Sequence, residues 1–374
     1  MSILYTSVSG RQITAHSHSG GNEWSCPRRY KYKRIDGWQS REEGVALMFG
    51  KCVESAIQYH HQKGRIPETG VDEFKVLWWK QHDNEELTYT QKSGDWDDHY
   101  RMGVELLSLY EAILPTLPIQ NEQFQVEVKR PLFGPGEPQE GLEFVVKLDM
   151  ISEVPADHPL LPQNGSTGLR KVIIDIKTSS NSFYTDSRLS ALDDQLIDYS
   201  WVTGIETVAF LVLVKNHTEL GTGDWVTIIR GPKVGKKYQV IDINPQRVLV
   251  LTKSDYDDYM ARKKLTKGKG AKEACDTLLT EYFYKGQSFR REDLTKQRIQ
   301  FLPAVISEED RQEAYQVARQ EAAEISCASQ NNFWPKKPGV RFPHNPCNSC
   351  EMLGLCINDP QLIQEKLVQI SGVF

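Results

Sequence analysis

The sequence predicts a mixed α/β fold in which helices flank a central sheet. Apolar residues recur at three- and four-residue spacing from about residue 42 to residue 114, which predicts helices. The spacing changes to two at 124–130, and strand-like runs follow at 142–153 and 171–178. A helical stretch and one more apolar strand come next, and the order strand, strand, helix, strand is typical of a mixed α/β core.

The remaining elements follow from local pattern. Phe49, Val53 and Ile57 place apolar side chains on one face of the first predicted helix. The first forty residues and the tail at 342–356 show little periodicity, so loops are expected in both. Further predicted elements are a helix at 188–203, a strand at 206–215, β-like segments at 224–231 and 246–253, and a helix at 306–328.

Composition excludes several classes of protein. With 39% hydrophobic and 25% charged residues in 374, the chain is neither disordered nor a disulfide-stapled miniprotein. The longest apolar run, Val208–Val214, is far shorter than the roughly twenty residues of a membrane span. The N-terminus lacks a secretory pattern, so a soluble cytoplasmic protein is expected.

A net charge of −5 does not indicate a nucleic-acid binder overall, but one basic stretch stands out near the N-terminus. Arg28, Arg29 and Lys31 surround Tyr30, and two more cations follow by residue 34. Cations beside aromatic rings are typical of single-strand grooves, in which phosphates and bases are bound together. The alternative is a solvated helix start.

Seven cysteines in a large chain indicate metal binding rather than disulfides. Cys347-x2-Cys350-x5-Cys356 alone is a weak signature, because zinc, redox and iron-sulfur sites share the C-x-x-C pattern. The remaining cysteines match no pattern and are expected to be core or incidental thiols; they are Cys52, Cys275 and Cys327.

Two acids and a lysine carry the most informative chemistry. Asp149 and Asp175 lie on adjacent strand-like segments, and paired carboxylates favour a hard divalent cation such as Mg²⁺. Lys177 follows Asp175 by two residues and therefore lies on the same strand face. Its ammonium could orient a water or bind a phosphate oxygen, as metal-assisted phosphodiester hydrolysis requires.

Asp149, the run Asp175-Ile176-Lys177, and then Gln195 and Tyr199 resemble the PD-(D/E)XK nuclease superfamily, in its RecB-type exonuclease branch. The resemblance implies a restriction-endonuclease-like core. It also implies that Asp149, Asp175 and the Ile176 carbonyl bind Mg²⁺ or Mn²⁺ and that Lys177 positions the attacking water. Gln195 and Tyr199, which share one helix face, would hold the nucleic-acid strand.

The sequence departs from this branch at one ligand. The branch commonly has histidine in a G-x-x-V-H pattern, whereas this chain reads Gly50-Lys51-Cys52-Val53-Glu54. We expect Glu54 to bind the metal, since a carboxylate also favours hard cations. His60 and His61 are possible substitutes but are expected to be surface residues. Glu127 could support the site or be an exposed strand acid.

The cysteines extend the resemblance. Cys26 precedes the nuclease motifs, and Cys347, Cys350 and Cys356 follow them. This layout is similar to that of RecB-type nucleases with an iron-sulfur cluster, including AddB nuclease subunits and CRISPR adaptation exonucleases. It implies a [4Fe-4S] cluster that joins the chain ends, with a four-cysteine zinc site as the alternative.

These features together favour a metal-dependent DNA exonuclease that acts on single-stranded DNA or DNA ends in recombination, repair or phage DNA metabolism. The alternatives are a catalytically silent DNA end-binding or recombination accessory protein and a restriction-type endonuclease. DNA is the expected partner, with a helicase or recombinase as a further candidate. The expected parts are an N-terminal arm at 1–40, a helical region at 41–120, a nuclease core at 121–215, an insertion of strands and helices at 216–330 and a cysteine segment at 331–374.

Overall fold

The computed structural model describes most of the chain. Cys275, one of the incidental cysteines, lies outside the described residues. The described residues are 2–89, 94–157, 161, 168–179, 187–215, 225–227, 237–244, 247–251, 298–336, 347 and 349–370.

Strands β1 to β15 are numbered in chain order. They are β1 Tyr5–Thr6, β2 Gln12–Ile13, β3 Ala15–Ser17, β4 Trp38–Ser40, β5 Glu43–Gly44, β6 Leu87–Thr88, β7 Gln120–Pro131, β8 Glu143–Pro155, β9 Leu169–Ser179, β10 Thr207–Val214, β11 Trp225–Thr227, β12 Lys237–Asn244, β13 Arg247–Leu251, β14 Ile299–Val305 and β15 Leu367–Gln369.

The α-helices are numbered in the same way. They are α1 His18–Trp24, α2 Pro27–Tyr30, α3 Val45–Gln62, α4 Thr69–Trp79, α5 Trp96–Ile113, α6 Asp194–Thr203, α7 Glu308–Gln330, α8 Leu353–Ile357 and α9 Pro360–Lys366. A π-helical turn occupies Lys31–Ile35, and 3₁₀-helical turns occupy Leu114–Thr116 and Ser187–Leu192.

The central sheet is mixed, as the sequence predicted. Strands β14, β10, β9 and β8 lie side by side, and β3 and β7 both pair with β8. β10 runs parallel to β9 and β3 runs parallel to β8, whereas the pairs β10–β14, β8–β9 and β7–β8 are antiparallel. β10 is buried along its whole length, as expected for a strand covered on both faces.

Strands β8 and β9 separate at one end. Their ladder runs from the pair Pro155–Leu169 to the pair Met150–Ile174 and then stops. Because β7 pairs with β8 from Glu143 to Glu153, β3, which pairs with Glu143–Val145, must lie on the same edge of β8 as β9. A gap therefore remains on that edge, between the last β9 pair and the first β3 pair.

Apolar side chains pack on both faces of the sheet. One core joins α3, α4 and α5 to Met150, Ile174 and Leu211. The other joins α6 and α7 to Leu148 and Phe210. The sheet is thus flanked by helices, and the gap between β8 and β9 lies between these two layers.

Two expected loops contain regular structure. The first forty residues include β3, which joins the central sheet, and helices α1 and α2. The tail contains α8, followed by α9 and β15. The loop expectation for the first forty residues was wrong because elements this short show no sequence periodicity and depend on partners far along the chain. Residues 342–346 and 348 of the tail lie outside the described residues. Within the described ranges, no helix combines the length and apolar character that a membrane span requires.

Candidate active site and chain-end cysteines

Asp149 lies in the gap where β8 and β9 separate. Its Oδ2 accepts a hydrogen bond from the backbone amide of Ile176 at 2.9 Å. This amide lies beyond the last ladder pair, so the carboxylate replaces the carbonyl that a continued strand pair would supply. The backbone of β9 thereby fixes one carboxylate beside the residue that follows Asp175.

Asp175 begins a chain of polar contacts that links β9 to α6. Its side chain is 1% exposed, and its Oδ2 lies 2.8 Å from Lys177 Nζ. The Lys177 ammonium also donates to Gln195 Oε1 at 3.0 Å. Gln195 Nε2 donates to the Tyr199 hydroxyl at 2.5 Å. The Asp193 side chain caps α6 by accepting a hydrogen bond from the backbone amide of Gln195, and this cap fixes where the helix begins.

Helix α3 brings Glu54 to the same place. Gly50 allows this approach, because a Cβ there would lie only 3.3 Å from Thr178 Oγ1 on β9. One turn later, Glu54 Oε1 accepts a hydrogen bond from Gln125 Nε2 at 2.5 Å. The Glu54 carboxyl also interacts directly with Asp149. The residues expected to form the site are therefore brought together from α3, β8, β9 and α6.

The three carboxyl groups resist ionisation. Burial, with the Asp149 charge added, raises the pKa of Glu54 to about 7. Burial also raises the pKa of Asp175 to about 7; Lys177 opposes this shift and Asp149 adds to it. Burial raises the pKa of Asp149, although the Ile176 amide opposes the rise. Three such acids in one cleft favour a bound cation.

The donor set fits a hard divalent cation. Glu54, Asp149, Asp175 and the carbonyl of Ile176 offer oxygen ligands, which Mg²⁺ and Mn²⁺ prefer. As the side chains are placed, no three His, Cys, Asp or Glu residues of the described chain already enclose an ion. The cation that faces Asp175 in this arrangement is the Lys177 ammonium.

Two tyrosines expected to hold nucleic acid are buried. Tyr199 is 6% exposed and its hydroxyl contacts Gln195. Tyr30 is 2% exposed, stacks on Trp334 and meets Trp24 edge-on. Both rings pack against other side chains, and burial of this kind stabilises the fold. A contact of either ring with nucleic acid stays a prediction.

The cations around Tyr30 are engaged within the protein. Arg28 Nε donates to the Trp334 carbonyl at 3.0 Å. Arg29 pairs with Glu351 at 3.2 Å, and Lys31 pairs with Asp36 at 2.6 Å. The Arg28 and Arg29 contacts tie the N-terminal basic stretch to the C-terminal segment.

The chain ends also bring cysteines near one another. Cys26 precedes α2, Cys356 lies on α8, and the Cys350 amide donates to the Cys347 carbonyl at 3.2 Å. Burial raises the pKa values of Cys350 and Cys356, and the Cys26 sulfur adds to both shifts. The described residues do not form a closed four-thiolate site.

Other candidate residues have structural surroundings. His60 and His61 are buried, not on the surface; His60 Nδ1 lies 2.9 Å from Thr69 Oγ1, and His61 Nε2 lies 2.7 Å from the Tyr110 hydroxyl. Glu127 is exposed and pairs with Lys129 at 3.3 Å. Cys52 is buried and Cys327 is exposed.

Gln125 is the site residue that the sequence did not reveal. Strand alternation places Gln125 and Glu127 on one face of β7, and the acid drew attention because carboxylates ligate metals. Gln125, however, has a φ of 52°, which a strand pattern does not anticipate. No sequence signal distinguishes it from Gln123 on the same strand.

Comparisons with known proteins give a family match and similar solved structures. The crystal structure of a "Putative exonuclease" from Eubacterium rectale is similar at 16% identity and a TM-score of 0.35, over 75% of this chain and 85% of that one. The crystal structure of SSO0001 is similar at 12% identity and a TM-score of 0.19, over 47% and 63%. No curated protein matches the sequence. The family described as the PD-(D/E)XK nuclease superfamily matches residues 24–357, a range that contains every residue of the carboxylate site. The chain belongs to the PD-(D/E)XK nuclease superfamily.

Proposed function

We propose that this nuclease is a metal-dependent DNA exonuclease that acts on single-stranded DNA or DNA ends. The observation that carries the proposal is the convergence of Glu54, Asp149 and Asp175 beside Lys177 where β8 and β9 separate. Buried acids with raised pKa values are typical of functional sites rather than of ion pairs that only stabilise a fold.

Each residue has a distinct role in the proposed reaction. Glu54, Asp149, Asp175 and the Ile176 carbonyl hold Mg²⁺ or Mn²⁺, which when bound polarises the phosphate and makes a bound water more acidic. Lys177 orients the attacking water and stabilises charge on the phosphate. Gln195 holds the Lys177 ammonium in place, and Tyr199 holds the Gln195 amide.

Cys26, Cys347, Cys350 and Cys356 form the second part of the proposal. We infer that they hold an iron-sulfur cluster, with zinc as the alternative metal. The Cys26 sulfur adds to the rise in the pKa values of the Cys350 and Cys356 thiols, and this supports the inference. Such a site joins the two chain ends and leaves the catalytic residues free for DNA.

A catalytically silent DNA end-binding protein is the second candidate. It would keep the fold and bind DNA without turnover. The intact Asp175 and Lys177 pair argues against it, because binding an anionic strand does not require a buried carboxyl group 2.8 Å from the ammonium. Recombination, repair or phage DNA metabolism, with a helicase or recombinase partner, remains the proposed setting.

Digestion of labelled single-stranded DNA tests the proposal. Linear DNA labelled at either end is incubated with Mg²⁺, Mn²⁺ or a chelator, beside a covalently closed circle of the same sequence. We expect metal-dependent loss of the linear DNA from one end and survival of the circle. Cleavage of the circle would identify an endonuclease, and binding without cleavage would favour the silent protein.

A further inference from the structure

Gln125 has an unusual backbone conformation in the middle of β7. Its φ is 52°, in the left-handed region that residues other than glycine rarely adopt. The flanking residues Phe124 and Val126 pair normally with Met150 and Leu148. Strain that persists between regular neighbours is typical of functional sites, where the surrounding structure maintains it.

The register places Gln125 directly opposite a proposed metal ligand. Both strands advance by two residues between the pairs Phe124–Met150 and Val126–Leu148, so the residue across from Gln125 is Asp149. The Gln125 side chain does not continue the strand pattern but donates to Glu54 Oε1 on α3 at 2.5 Å. Gln125 therefore contacts one proposed ligand and lies across from another.

A carboxylate that ligates with one oxygen needs a donor on the other. Gln125 supplies that donor to Oε1 and leaves Oε2 of Glu54 without this partner. Outer partners of metal ligands act in this way and orient the ligand before the metal arrives.

We propose that Gln125 is a positioning residue that holds the Glu54 carboxylate in the orientation required to bind the catalytic metal. This inference rests on the nuclease function proposed above. It explains why a left-handed glutamine persists within a strand: the conformation directs the amide at Glu54. Gln125 itself does not touch the DNA or the metal.

Two substitutions separate positioning from support of the fold. Gln125→Met keeps the size of the side chain and removes the donor. Gln125→Asn keeps the amide, tolerates the left-handed backbone better than glutamine and is one methylene too short to reach Glu54. The matched controls are Gln123→Met and Gln123→Asn, at an exposed position on the same strand.

The first measurement is Mn²⁺ binding in the absence of DNA, which is monitored through the EPR signal of free Mn²⁺. The melting temperature of each variant is measured as well. Both Gln125 variants should bind Mn²⁺ about 10- to 100-fold more weakly. Gln125→Asn should melt no lower than the wild type. Cleavage by both variants should recover at high Mn²⁺, with an unchanged KM for DNA. The Gln123 variants should match the wild type.

A double substitution tests whether Gln125 acts through Glu54. Once Glu54→Gln has weakened Mn²⁺ binding, adding Gln125→Met should weaken it no further. An additive loss, or wild-type Mn²⁺ affinity in both single Gln125 variants, would overturn the inference. Failure of the wild type to bind Mn²⁺ or to cleave DNA would instead refute the proposed function, so the two failures are distinguishable.

Discussion

Lys177 on β9 donates a hydrogen bond to Gln195 on α6, with Nζ 3.0 Å from Oε1. The same ammonium faces Asp175 at 2.8 Å, so two elements fix its position. Burial would lower the pKa of Lys177, but Asp175 outweighs it and raises the pKa. Lys177 therefore stays charged at neutral pH. It serves the proposed reaction as a fixed cation and an orienting donor rather than as a general base.

Replacing Lys177 by Ala should reduce cleavage by about two orders of magnitude or more, the usual scale for an electrostatic or acid-base group. Rates on end-labelled single-stranded DNA and fluorescence anisotropy for DNA binding measure the effect. Lys171→Ala, at an exposed position on the same strand, is the control. Near wild-type cleavage by the Lys177 variant would remove this residue from the mechanism.

Replacing Asp175 by Asn should abolish metal-dependent cleavage, because a neutral amide cannot offset the charge of the cation. DNA affinity should stay the same or rise, since repulsion of phosphate falls. Calorimetric titration with Mn²⁺ measures the loss of binding. An unchanged titration would show that the metal binds elsewhere.

The raised carboxyl pKa values make metal-free stability depend on pH. Glu54 and Asp175 hold protons to about pH 7 when folded but release them near the usual values of 4.5 and 3.8 when unfolded. The folded state thus binds more protons between about pH 4 and 7, so stability falls as pH rises through this window. Melting temperatures in chelator from pH 5 to 8 should decline less for Asp175→Asn than for the wild type. Equal slopes would contradict the raised pKa.

Tyr199→Phe should have a small effect on cleavage, because it removes only the hydroxyl that accepts from Gln195. Loss of a hydrogen bond that contributes a net free energy of about 1 kcal/mol corresponds to a roughly fivefold lower cleavage rate. Tyr199→Ala should destabilise the fold by about 3–5 kcal/mol, as expected for removal of a buried aromatic ring. Thermal melts and cleavage rates of the two variants separate these effects, and a stable, fully active Ala variant would exclude both roles.

Protein purified without oxygen should be brown, because thiolate-bound iron-sulfur clusters absorb visible light and zinc does not. Cys356→Ala should bleach the colour and lower the melting temperature, since a cluster constrains the separated chain ends. Cys327→Ala, at an exposed position away from the pattern, should keep the colour. Colourless protein with stoichiometric zinc would replace the iron-sulfur assignment and leave the nuclease assignment intact.

The strands and the acidic motif could be predicted because they depend on local pattern. Alternating apolar residues marked β7 and β8. The spacing of Asp175 and Lys177 occurs by chance in many proteins, and it became informative only beside Asp149, Gln195 and Tyr199. Glu54, Gln195 and Tyr199 were found by their order along the chain. The structure brings all of them to one gap, although their chemical roles stay predictions.

Burial could not be predicted in the same way. Tyr30 packs against Trp334, and His61 meets Tyr110, so their surroundings depend on contacts between distant segments. The conformation of Gln125 also has no local signal, because the contact with Glu54 that accompanies it is 71 residues away. Tertiary contacts of this kind override what a basic or strand-like stretch suggests by itself.

The pairing of β4 with β15 can form only late in the synthesis of this protein. Trp38, at the N-terminal side, pairs with Gln369, and Lys366 meets Glu42 across 324 residues of sequence. Domains fold as the chain leaves the ribosome, so the sheet and its helices can assemble while β4 still lacks its partner. The two strands pair only after residue 369 has been translated. Ribosome-bound chains that stop before residue 367 should therefore leave β4 open to proteases.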